Sequence, residues 1–214
     1  MTTTEPAVAP SRWVRRLEIV EAVALALVAI ATAFSGYQGA QWGGEQARLY
    51  GLASTTRFQA DAASTLGGQQ LAADASFFTA WLQARGAGNN ELASMMEARF
   101  SPAYASAFHD WLATDPFTNP DAPAGPGAMP GFASPEMVEA GELNDRAAAY
   151  FASGTEAREN ANRYVRQTVL FASVLFLIAI AQRFRTRGVR IAVSALALGM
   201  LVFTLYGVVV LPRI

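Results

Sequence analysis

The chain has 214 residues, 52% of them hydrophobic and only 15% charged, with a formal net charge of −1. A soluble domain carries about 25% charged residues, so the composition points to a lipid bilayer as partner and not to a nucleic acid. The absence of cysteine excludes disulfides, thiolate metal sites and a cysteine nucleophile, and the single histidine, His109, cannot build a multi-histidine metal centre. No cofactor is expected.

All 16 basic side chains are arginine, which together with abundant alanine fits a GC-rich bacterial genome. Three segments reach the roughly 20 apolar residues that a bilayer requires. They are residues 17–37, 165–181 and 191–211. Arg12, Arg15 and Arg16 precede the first, and Arg183, Arg185, Arg187 and Arg190 crowd the link between the last two. The positive-inside rule places both clusters in the cytoplasm. The reading is an all-α protein of the bacterial plasma membrane with three transmembrane helices. Residues 1–16 form a cytoplasmic tail, 38–164 an extracytoplasmic helical domain, and 182–190 a cytoplasmic arginine-rich loop. The N-terminus is inside and the C-terminus outside. The stretch from Gly36 to Arg163 holds 14 acidic residues against 7 arginines, in keeping with an outer location. A cleaved signal peptide is the rival for the start, with Arg15 and Arg16 as its basic region and Ala31-Thr32-Ala33 as the cleavage site. Glu21 would be foreign to its apolar core.

No proline or turn cluster separates apolar from polar sequence in "EIVEAVALALVAIATAFSGYQGAQWGGEQA", so the first span is expected to continue as a helix to about Arg85. "RGAGNN" breaks it, with Asn89 or Asn90 capping the next helix. Ser101-Pro102 offers another start, with proline at the first helical position. The stretch 114–134 has five of the ten prolines and three glycines, and is expected to be irregular. Phe117, Met129 and Phe132 are candidates to pin it. Ser134-Pro135-Glu136 then opens a long helix into the second span.

Steps of four and three from Ala22 give Ala22, Ala26, Ala29, Ala33, Gly36, Ala40, Gly43 and Ala47, all of them small. Such a seam is the pattern of supercoiling helices and allows close backbone approach in membranes. On the returning helix the matching uncharged series is Leu143, Ala147, Tyr150, Gly154, Ala157, Ala161, Tyr164, Thr168, Phe171, Leu175 and Ile178. Pairing them antiparallel at the membrane boundary predicts a coiled-coil-like hairpin. In it Ala33 faces Phe171 and Ala40 faces Tyr164. Glu21 would lie near Arg183, Glu45 near Arg158, and Arg48 near Glu156 or Glu159. Leucine at Ala40 or Gly43 would then overpack the pair.

Few residues suggest chemistry. Glu18 and Glu21 could carry protons or ions if intramembrane, or simply pair with the arginine link. "GYQGAQWGGEQA" lacks the Lys-Ser/Thr ending of a phosphate loop, so its glycines read as packing residues beside interfacial Tyr37 and Trp42. Adjacent His109 and Asp110 do not face each other on a helix. Glu136, Glu139 and Glu142 suit a helix start more than a cation site. With no catalytic constellation, a non-enzymatic assembly or interaction role is expected, as a homo-oligomer or with a membrane-protein partner. The alternatives are a channel or transporter subunit lined by Glu21, Gln182 or Thr204, and a sensory input module.

The stretch "EIVEAVALALVAIATAFSGYQGAQWGGEQARLY" resembles a loose group of uncharacterised bacterial three-span membrane proteins. The resemblance implies one N-terminal span, an outer helical region rich in alanine and aromatics, and two closing spans. It implies no activity.

Overall fold

The computed structural model describes residues 12–184 and 186–214, and among them it is all-helical, without strands. Residues 1–11 of the expected tail and Arg185 of the arginine link lie outside the described residues. The helices are α1 (Arg12–Gly86), α2 (Asn90–Glu97), α3 (Pro102–Leu112), α4 (Pro135–Ala181) and α5 (Arg187–Val210). Three of them, α1, α4 and α5, are long and apolar enough to cross a membrane.

Local chemistry sets the boundaries. After α1, Gly88 adopts φ +74°, the left-handed conformation that glycine enters without a Cβ clash. The Asn89 side chain then accepts from Leu92 N–H and starts α2. Ser101 caps α3 through Tyr104 N–H, with Pro102 at the first position. Between α3 and α4 the chain is irregular apart from a 3₁₀ turn at Pro126–Ala128.

The described residues divide into two compact units, one of residues 12–49 with Ser153–Ile214, the other of Tyr50–Ala152. In the first, the three-helix unit, α1 buries Glu21, Ala24, Val28, Ala31, Ser35 and Gln38. α4 buries Ala157, Ala161, Tyr164, Phe171 and Ile178, members of the uncharged series read from its sequence, and also Asn160, Val174 and Ala181, which are not. α5 adds Ser194, Ala197, Leu201, Thr204 and Val208. All three helices thus bury residues in alternating three- and four-residue steps, the spacing of knobs-into-holes packing. Small side chains of α1 meet large ones of α4 in a single apolar cluster.

The second, the aromatic unit, is built differently. Trp81 of α1 packs with Phe100, Tyr104, Phe108 and Trp111. The Trp81 and Phe108 rings meet edge-to-face at 4.9 Å, and Phe78 and Trp111 at 5.1 Å. These are the offset geometries that ring quadrupoles favour. Met129 and Phe132 of the irregular stretch pack on this cluster. Trp111 Nε1–H donates to the Pro123 carbonyl at 2.7 Å and pins the same stretch.

Candidate functional site

Glu21 is the acid that the sequence marks for scrutiny, and it is only 3% exposed. The Arg190 guanidinium reaches its carboxylate at 2.9 Å (Nη2) and 3.5 Å (Nε). Ser194 Oγ–H donates to Oε1 at 2.9 Å. Both oxygens are therefore engaged, and the pair ties α1 to α5. A carboxylate so satisfied is better suited to fixing helices than to shuttling a proton. Beside it, Glu18, Glu21, Ala22, Leu25, Gln182 and Arg190 line a cleft of about 320 Å³.

Of the other two candidates for a path, Gln182 is exposed, and Thr204 is fully buried and donates to the Met200 carbonyl. The core of the unit is filled by Val28, Phe171, Val174 and Ile178, each at most 2% exposed. A second polar group lies around the last residues. The Pro212 carbonyl accepts from Trp42 Nε1–H at 3.1 Å and Tyr164 O–H at 3.0 Å. The Gln38 amide both donates to and accepts from the Ile214 backbone at 3.3 Å.

Two of the predicted ion pairs, Glu21 with Arg183 and Glu45 with Arg158, form differently. Glu21 bonds Arg190, while Arg183 is exposed. Glu45 is held by Arg48 within α1 at 2.6 Å, and not by Arg158, which is exposed like Glu156. The Arg48 hydrogen bond keeps the Glu45 carboxyl below its ordinary range. Within one helix such a pair costs less ordering than a pair across helices, which explains the preference.

The seam on α1 also needs correction as a contact within the chain. Ala22, Ala26, Ala29, Ala33, Gly36, Ala40 and Ala47 are exposed and Gly43 is half-buried. A Cβ added at Gly36 or Gly43 would meet nothing within 4 Å, so leucine there does not overpack the chain itself. It is Gly39 that meets Tyr164, at 3.5 Å from a built Cβ. The expected register placed Ala40 there. One residue turns a helix by about 100°, enough to carry the seam out of the interface. What remains on α1 is a division into three faces. One is buried against α4 and α5, one is the small seam, and one carries exposed Ile19, Val23, Leu27, Ile30 and Phe34.

The aromatic unit holds a second buried acid that the sequence reading passed over. Asp74, 2% exposed, accepts from Ser101 N–H at 2.8 Å and Ser101 Oγ–H at 2.6 Å. It thereby pins the start of α3 to α1. Burial, and then the nearby Asp74 charge, pushes the Tyr104 phenol up to about 12. The signal was its spacing: Gly67, Asp74 and Trp81 recur every seven residues, and all three are buried. His109 is an exposed helix residue beside Phe108, and Glu139 and Glu142 are exposed.

Among the described residues the protein is all-helical, with three helices long and apolar enough to cross a membrane. Compared with family models, curated proteins and solved structures, the chain matches none, so no family is identified.

Proposed function

We propose that this is a non-enzymatic assembly protein of a bacterial plasma membrane, which self-associates through the small seam of α1. In this reading α1 and α4 carry two spans and continue into an extracytoplasmic helical domain, and α5 closes the anchor. The N-terminus is cytoplasmic and the C-terminus outside. The arginine clusters and the acidic middle of the chain support this orientation.

The observation that carries the reading is the open seam. A helix in lipid gains nothing by presenting alanine and glycine to acyl chains, whereas small residues let two backbones pack closely. On α1 the seam is set apart from the face that carries Ile19, Leu27 and Ile30. That face suits lipid. The channel alternative finds little support within one copy, because Phe171, Val174 and Ile178 fill the core of the three-helix unit.

The test is the mass of the complex in lipid nanodiscs, measured by native mass spectrometry. The expected result is a homo-oligomer that Gly43→Leu dissociates, with helix content unchanged. A monomeric parent protein, or an oligomer indifferent to both Gly43→Leu and Ala40→Leu, would overturn the proposal.

A further inference from the structure

Two contacts hold the aromatic unit together along one face of α1, two turns apart. At one end, Gly67 lets the start of α4 pack directly on α1. A Cβ there would fall 3.0 Å from Met137 Cγ, 3.1 Å from Glu136 Cβ and 3.2 Å from Ser134 Oγ. At the other end, Asp74 holds Ser101 and the start of α3. Gln70 and Leu71 lie between these anchors, and the space above them is a cavity of about 280 Å³. Its apolar walls include Pro102, Ala103, Phe132 and Pro135. The volume falls just below the roughly 300–1,000 Å³ of small-molecule sites.

The charge of this cavity is one-sided. Its lining includes two carboxylates, Asp74 and Glu136, and no basic residue. Two helix starts border it, which would ordinarily favour an anion. Here several of the donors are used. Ser101 N–H is taken by Asp74, Tyr104 N–H by Ser101 Oγ, and Met137 N–H and Val138 N–H by the Ser134 carbonyl. Both helices also begin with proline, which has no N–H. Two helix ends of about +0.5 each against two carboxylates leave a net charge of about −1. Glu136 Oε2 accepts from Ser134 Oγ at 2.7 Å, and Glu136 is part of the cavity lining.

We propose that this cavity binds a small organic ammonium ion, its apolar body between Leu71, Ala103 and Phe132 and its cationic head at Glu136. The site lies wholly within the aromatic unit and does not depend on the assembly reading.

The full chain in nanodiscs would be titrated calorimetrically with 2-phenylethylammonium, 2-phenylethanol and 3-phenylpropionate. Ala103→Trp, which fills the cavity, separates the site from partitioning into lipid. The expected result is ammonium binding at least tenfold tighter than that of the alcohol or the carboxylate. Ala103→Trp should abolish it and Glu136→Gln should weaken it about tenfold. Equal or tighter binding of either analogue, ammonium binding unchanged by Ala103→Trp, or no binding beyond that of empty nanodiscs would overturn the proposal.

Discussion

The two units of this chain differ in which large side chains they bury, although Phe58 and Phe117 of the aromatic unit are also exposed. In the aromatic unit Trp81, Phe108 and Trp111 are inside. In the three-helix unit Ile30, Phe176, Val202, Phe203 and Val209 are each more than 60% exposed, around a core in which Ala24, Ala31 and Ala197 pack with Phe171, Val174 and Ile178. Water drives large apolar groups inward, because burying one fully is worth about 1.5–3 kcal/mol. Acyl chains exert no such drive, so close packing of small residues decides which side faces in. The contrast is what one chain would show if half of it met oil and half met water.

Substitution tests the contrast most severely. Phe108→Ala should cost the aromatic unit about 3–5 kcal/mol, as large-to-small changes at buried aromatics do. Phe176→Ala should cost far less in lipid. Denaturant unfolding followed by tryptophan fluorescence would compare them, and equal losses would break the comparison. Next is the polar contact inside the three-helix unit. Glu21→Ala leaves Arg190 unpaired in apolar surroundings, at a cost of about 3–5 kcal/mol. Glu21→Leu combined with Arg190→Leu should recover most of that loss, seen as a restored midpoint of SDS unfolding. A neutral Glu21→Ala would mean that water reaches the pair.

Smaller effects sharpen the picture of the aromatic unit. Asp74→Asn weakens two charge-assisted hydrogen bonds and should cost about 1.5–3 kcal/mol. It should also lower the Tyr104 titration from about 12, read by tyrosinate absorbance. Because the folded phenol holds its proton more tightly than the unfolded one, its contribution is full below the ordinary phenol range. It is lost as pH rises toward 12. Least of all, Ser134→Ala should raise the Glu136 carboxyl, which the Ser134 hydroxyl and its own backbone N–H hold below the ordinary range. The small stability tied to Glu136 is present above that range and lost on acidification through its lowered pKa. An NMR pH titration with no change at Glu136 would count against that hydrogen bond.

Much of the fold was legible because its punctuation is local. Asn89 and Ser101 cap their helices by chemistry contained within four residues, and Pro135 opens α4 at its first position. Span lengths follow from runs of apolar side chains. The packing face of α1 was not legible, because alanines occupy more than one of its faces. Ala24 and Ala31 are buried while Ala26 and Ala33 are exposed, and a count of small residues cannot separate the two sets. The polar members of the buried series, Glu21, Ser35 and Gln38, hid it further, since they look like surface residues. Glu21 and Gln38 are buried because α5 and the last residues of the chain supply their partners. Long-range partners of this kind also account for Asp74, whose cap on α3 lies 27 residues away.

The central claim is that the α1 seam, left open by its own chain, is covered by a second copy. Single cysteines placed along α1 in native membranes test it most directly, since the chain has none of its own. Oxidation should link copies through cysteine at Ala33, Ala40 or Ala47. It should not do so at Phe34 on the large apolar face or at Val28 in the buried one. Cross-linking that peaks at Phe34, that is uniform around the helix, or that is absent at all five positions would contradict the account.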